Sequence, residues 1–279
     1  MSEFNRTTEL KSFLTACRER LRPRDVGLPN FPDRRRNTGL RREEVATLAN
    51  VSFTWYSWFE SGRRKDISPE FLERLASVLR LSNIEIEYLF ALAGLLRRHS
   101  SAVPLKRSAS QQALMIVNGF TAGPAIVVDR YYNVLSWNSV ASALYGYGNI
   151  PGQNINLLYN FFGSERARNV HPEWGHTSRQ IVGTFRLEFA KHIEDQAYVR
   201  LLRELFSISP EFERLWRERF VEAWPEHFSF ILPELGQAVT AQFAVASIIN
   251  EPNEKIHLHT LPDGRLAKKF LSAVRADLR

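Results

Sequence analysis

The chain has 279 residues, of which 44% are hydrophobic, and 37 Lys plus Arg against 30 Asp plus Glu give it a net charge of +7. That length suits two domains, and the apolar content excludes a disordered or low-complexity protein. A single cysteine, Cys17, excludes an intramolecular disulfide; no apolar run reaches membrane-spanning length and the opening MSEFNRTTELKSF lacks a signal-peptide core, so a cytoplasmic protein is expected. The charge is unevenly divided. Residues 1–107 hold 20 basic and 13 acidic side chains, whereas residues 108–279 hold 17 of each. Basic excess confined to one part of a chain is the electrostatic footprint of a nucleic-acid binder.

Leu10, Phe13, Leu14, Cys17 and Leu21 recur at helical spacing and predict an amphipathic first helix with Cys17 as a small core residue. Pro23, Pro29 and Pro32 end it. The loop that follows carries Arg34, Arg35 and Arg36, and Arg41 and Arg42 open the next helix, an arrangement suited to DNA phosphates. From 41 to 62, RREEVATLANVSFTWYSWFESG predicts two short helices and a tight turn. Val45, Ala46 and Ala49 share one face, Asn50 sits at the reversal, Ser52 offers an N-cap, and Tyr56 and Phe59 follow at helical spacing. This is the helix-turn-helix pattern, whose second helix enters the major groove. Gly62 can cap that helix, and Arg63, Arg64 and Lys65 form a second phosphate clamp. Trp55 and Trp58 lie off the Ala46-facing stripe and are expected on the loop before Arg34 or on a second domain.

Ser68 and Pro69 start a helix with Phe71, Leu72, Leu75, Val78 and Leu79 inward. Another from Asn83 to Ala93 adds Ile84, Tyr88, Leu89 and Leu92. An all-α, five-helix bundle is therefore expected over 1–96, and the Ser-, Pro- and base-rich 97–110 is expected as a linker. The domain at 111–279 reads as α+β. QQALMIVNGF predicts a helix, PAIVVD a buried strand, and NVLSWNSVASALYG a strand running into a helix. Helices follow with Val182, Phe185 and Phe189, with Val199, Leu202 and Phe206, and with Phe212, Leu215 and Trp216. HFSFIL, AVTAQFAVASII and KIHLHTL predict an antiparallel meander turning at ILPELG and NEPNEK, before a closing helix GRLAKKFLSAVRADL.

Two stretches carry a resemblance. GLRREEVATLANVSFTWYSWFESGR, then SPEFLERLASVLRLSNIEIEYLFALAG, resembles the lambda-repressor-like (XRE family) DNA-binding module, and more narrowly the MmyB-like transcription regulators of bacteria. GPAIVVDRYYNVLSWN, the pair Phe161 and Phe162, SPEFERLWRE and LPELGQ resemble the C-terminal half of the same family. The first resemblance implies base-reading positions at Ser52, Phe53, Thr54 and Ser57, with Phe53 suited to a thymine methyl and Asn50 standing where Gly is usual. The second implies a PAS-like ligand-binding domain with an antiparallel sheet, and a fatty acid or other apolar small molecule as effector.

Trp137, Phe162, Phe185, Phe189, Trp216 and Phe228 are candidate pocket walls, with Asn138 and Arg186 as polar anchors for an acid. An aromatic stripe at helical spacing is also what plain core looks like. No enzyme is expected. The glycines of GYGNIPG miss the nucleotide-loop spacing, and no serine-elbow or Cys-His signature occurs. His257 and His259 can point the same way on a strand, but with no third ligand they make a poor metal site, and His171 and His176 are no better. No cofactor is expected beyond that effector. The expected partners are operator DNA, the effector and a second copy of the chain, with dimerisation through the neutral C-terminal domain and no membrane. The alternative is a helix-turn-helix interaction or antitoxin-like module without ligand sensing.

Overall fold

Apolar residues three and four apart become helices, most of those in the N-terminal part opened by a Ser or Asn cap. In the computed structural model, which describes residues 5–29, 39–64, 66–95, 108–149 and 155–277, these begin with α1 (Arg6–Glu19), α2 (Arg42–Leu48), α3 (Phe53–Glu60), α4 (Pro69–Val78) and α5 (Asn83–Ala93). The capping oxygens do what the sequence asks: Asn5 accepts from Thr8 N, Ser68 from Phe71 N and Ser82 from Glu85 N. After α6 (Gln111–Gly119), β1 (Ala125–Asp129) and β2 (Val134–Trp137), the chain runs through α7 (Ser139–Tyr145), α8 (Leu157–Gly163) and α9 (Glu165–Val170). Three more helices follow, α10 (Trp174–Lys191), α11 (Gln196–Ile208) and α12 (Pro210–Arg217). Then come β3 (His227–Leu232), β4 (Gln237–Ile248), β5 (Glu251–Thr260) and α13 (Gly264–Asp277). No helix among the described residues is long and apolar enough to cross a membrane.

The chain forms two units, and parts of α10, α11 and α12 cluster with the N-terminal helices. The first comprises Met1–Arg98, Ile181–Arg200 and Arg214–Ala223; the second comprises His99–Gln180, Leu201–Glu213 and Trp224–Arg279. The physical reason lies in the first core. Leu187, Ala190 and Val221 join Leu10, Phe13, Leu14, Val45, Tyr56 and Leu89 in one buried cluster. A buried carboxylate reinforces it. Glu9 of α1 accepts from Arg186 Nη1 at 3.2 Å, from Arg219 Nη1 at 2.6 Å and from the Tyr88 hydroxyl at 3.3 Å. A buried carboxylate is tolerable only when satisfied in this way. Cys17 sits in the same core, where burial pushes its thiol up to about 12, far from a reactive thiolate.

The second unit is built on a five-stranded antiparallel sheet in the order β2-β1-β5-β4-β3, so the α+β expectation holds. The meander is β3-β4-β5, and β1 pairs with its free side. Ala125, Val127, Ile256 and Leu258 face α6, where Ala113 and Val117 meet them. The alternate residues belong to the opposite face, with Ile126 opposite His257 and Phe243 opposite His259. The last hairpin is tighter than the expected NEPNEK turn. Strand β5 already begins at Glu251, because Asn250 takes a left-handed φ of 67° and reverses the chain in two residues.

Candidate DNA-binding and ligand-binding sites

The turn between α2 and α3 is assembled from backbone bonds that only a left-handed residue permits. Asn50 has φ 54°, Asn50 N donates to Thr47 O, and Val51 N donates to Ala46 O at 3.0 Å. Val45, Ala46 and Ala49 are buried beneath it, as are Tyr56 and Phe59 of α3. Ser52 Oγ accepts from Trp55 N at 3.1 Å, fixing the start of α3. At its other end Gly62, with φ 70°, closes the helix as Arg63 N donates to Trp58 O; a Cβ there would lie 2.3 Å from Thr7 Cγ2.

The four base-reading candidates are not presented alike. Ser52, Phe53 and Thr54 are exposed, Phe53 by 54%. Ser57 is half-buried, and its Oγ is shielded without a partner among the described residues. Trp58, one helical turn beyond Thr54, is 48% exposed on the same side and was not among the sequence candidates; its spacing from Thr54 is the signal that points to it. Trp55 turns inward. Its ring stacks with Phe59 at 5.8 Å and meets Phe71 edge-on at 4.3 Å, with Arg64 above it at 5.4 Å.

The phosphate candidates also differ. Arg41 and Arg63 are exposed. Arg42 is held by Glu60: its Nε donates to Oε2 at 3.0 Å, while the other Glu60 oxygen takes Thr15 Oγ1 at 3.1 Å and lies 3.6 Å from Arg18 Nη2. Glu60 is fully buried, so Arg42 anchors the fold with one edge and keeps another toward solvent. Arg34, Arg35, Arg36 and Lys65 lie outside the described residues.

The eight ligand-binding candidates divide between the units. Phe185, Arg186, Phe189 and Trp216 belong to the first. There Arg186 is spent on Glu9 and on the Trp216 carbonyl, and its guanidinium lies 3.9 Å from the Trp216 ring centroid, which makes it a structural cation instead of a ligand anchor. Phe185 and Phe189 lie 5.8 and 5.5 Å from the same ring. In the second unit, Asn138 is likewise occupied. Its Oδ1 accepts from Ala125 N and Ala141 N, and its Nδ2 donates to Phe120 O and Gly123 O, so every hydrogen-bonding position of the amide is used to join the sheet to α7. Trp137 meets Tyr147 at 5.4 Å, and Phe162 packs against Phe212 at 5.0 Å.

Phe228 leads to a group the sequence reading passed over. On the sheet face opposite α6, Phe228 and Phe230 of β3 both lie 5.1 Å from His259, and Phe243 of β4 lies 4.8 Å from it. His171, between α9 and α10, meets Phe230 at 5.2 Å and Phe161 at 5.1 Å. His257 sits beside Trp224 and Phe243. All three histidines are buried. Burial drives His171 down to about 4 and His257 to about 3, and it holds His259, beside His257 and His171, well below the ordinary range. They are neutral imidazoles at pH 7. His171 Nδ1, His259 Nδ1 and the Tyr147 hydroxyl have no hydrogen-bond partner among the described residues. Period-two spacing predicted that His257 and His259 share a face, but only β3, β4 and His171 make that face a packed aromatic cluster. No group of three or more His, Cys, Asp or Glu able to hold a metal occurs among the described residues.

The arrangement thus comprises a capped helix with an exposed outer face and a packed aromatic cluster holding uncharged histidines. Comparison with protein families finds a domain of known type over each part of the chain. A helix-turn-helix domain matches residues 13–89, and the MmyB-like transcription regulator ligand binding domain matches residues 109–265. Both are domains of regulators, not of enzymes. Comparison with curated proteins gives no match. With a DNA-binding fold followed by a ligand-binding domain whose match spans more than half of its length, the chain belongs to the MmyB-like transcription regulators.

Proposed function

We propose that this chain is a bacterial, cytoplasmic, homodimeric regulator that reads a specific operator through α3 and answers to an apolar small molecule in its second unit. The observation that carries the reading is the outward face of α3, where Phe53, Thr54 and Trp58 are exposed between a Ser52 cap and a Gly62 cap. Ser52 and Thr54 offer hydroxyls to base edges, Ser57 contributes if its hydroxyl turns outward, and Phe53 supplies a surface for a thymine methyl. Arg41, Arg63 and the outer edge of Arg42 contact phosphates, together with Arg34, Arg35, Arg36, Arg64 and Lys65. Two copies would read half-sites one helical turn apart. The family resemblance brings a fatty acid as one effector class, and the match of residues 109–265 to a ligand binding domain supports a small-molecule effector more broadly.

Selection of tight-binding duplexes from a random pool tests this. Enrichment of one motif is expected, and Thr54→Ala should relax a single position at a cost of about 1–3 kcal/mol. Arg63→Ala should instead weaken binding to all duplexes and reduce the salt slope by about 0.9. Salt-sensitive binding with no enriched motif, unchanged by Thr54→Ala, would favour the interaction or antitoxin-like module.

A further inference from the structure

The outer face of α3 holds little with which to read a base by hydrogen bonds. From Ser52 to Gly62 the chain has no Arg, Lys, Asn or Gln, the side chains that make paired contacts to guanine or adenine. Its one carboxylate, Glu60, is fully buried and held by Arg42 and Thr15. Ser61 Oγ donates to Trp58 O, Ser57 Oγ is shielded, and Ser52 Oγ already accepts from Trp55 N. That leaves Thr54 and the Ser52 proton, and a hydroxyl bonds to more than one kind of base. What the face does offer is apolar surface. Among the described residues of the first unit, the exposed large apolar side chains are Phe53, Trp58 and Leu95, so two of the three stand on this one short helix. Positions 53, 54, 57 and 58 form two adjacent rows along a helix, which puts Phe53, Thr54 and Trp58 on one surface. Beneath it Trp55, Phe59 and Phe71 pack ring against ring at 4.3 to 5.8 Å, which fixes the side of α3 that faces outward. The basic excess of residues 1–107 and the exposed Arg63 just past Gly62 suit that surface to a polyanion instead of an apolar protein face.

We infer that α3 reads DNA chiefly through pyrimidine C5 methyl groups, with Phe53 and Trp58 as the specificity-determining residues. The inference rests on the reading of α3 as the operator helix and names what that helix reads. In the major groove the apolar group a base pair presents is the thymine methyl, and aromatic or other apolar side chains are its natural contacts. A cytosine methylated at C5 carries the same group at the same place. Uracil lacks it but keeps the O4 acceptor of thymine, so a helix reading by hydrogen bonds alone treats thymine and uracil alike. A helix reading methyl groups does not. Burying one methyl is worth roughly fourfold in affinity.

The test uses the full chain and the duplex enriched by selection, compared with copies in which single thymines are replaced by uracil. Fluorescence anisotropy titration is expected to show a loss of roughly fourfold at one or more positions. Phe53→Ala and Trp58→Ala should each weaken binding to the thymine duplex and erase the difference between thymine and uracil at one position. Thermal unfolding should be unchanged in both, since both side chains are exposed. In the unsubstituted protein, replacing such a thymine by cytosine should lose affinity, and methylating that cytosine at C5 should regain roughly fourfold. Uracil bound as tightly as thymine at every position, a thymine preference that survives both substitutions, or no gain from the methylated cytosine would overturn the inference. Substitutions that alter self-association in light scattering but not DNA affinity would assign the face to a second copy and overturn it likewise. If a duplex is enriched and uracil costs nothing, the operator reading stands and the methyl inference falls. If no duplex is enriched, both fall.

Discussion

Single residues show how far local chemistry reaches. Asn50, Ser52 and Gly62 do what the sequence indicates because a turn, an N-cap and a C-cap are settled within a few residues. Arg186 and Asn138 were legible only as polar groups among aromatics. Apart from the local cap bond of Asn138 to Ala141 N, their partners, Glu9 for one and the Ala125, Phe120 and Gly123 backbones for the other, come from distant or non-periodic positions that spacing does not encode. The difference has consequences. Asn138→Ala strands several backbone groups at once and should lower stability by about 2–4 kcal/mol in urea unfolding, with a much smaller loss identifying the amide as an anchor and not a strut. Glu60→Ala leaves Arg18 without its buried counter-charge, for an expected cost of about 3–5 kcal/mol. The histidines give a pH signature. Their folded pKa values lie below the ordinary histidine range, so between about 4 and 6.5 the unfolded chain binds more protons, and stability falls as pH is lowered through that window. His257→Leu should flatten the slope of urea midpoint against pH between 4.5 and 6.5; an unchanged slope would show that His257 is not held neutral.

At the scale of elements, periodicity located nearly every helix and strand, and the strand partners were legible as far as the β3-β4-β5 meander. That β1 completes the sheet beside β5 depends on a close approach that no period reveals. Gly123 lies so near β5 that a Cβ would fall 1.9 Å from the His259 carbonyl oxygen, and Pro124 O accepts from His259 N at 3.0 Å. Gly123→Ala is therefore expected to push this segment off β5 and to cost at least about 2 kcal/mol, since backbone cannot yield as a flexible side chain can. Circular dichroism and chemical unfolding would measure it. The helices α10 to α12 mark where pattern reading stops. Their apolar stripes were visible, but a stripe states only that a face is covered. Leu187, Ala190 and Val221 find their cover in the N-terminal core, a partner that no stripe names.

For the whole molecule, the uneven charge and the two family matches describe the same design, a basic reader joined to a neutral receptor. A receptor can regulate the reader only if its ligand binds one state of the protein better than the other, and by linkage DNA must then alter ligand affinity by the same factor. The measurement that tests this most directly is the affinity of the full chain for its selected operator, made on protein stripped of small molecules by organic extraction and again after adding back what was extracted. The account predicts a change of roughly five- to 150-fold, the usual range of coupling between two sites. Identical affinity across the titration, with the extracted molecule shown to be bound, would contradict it.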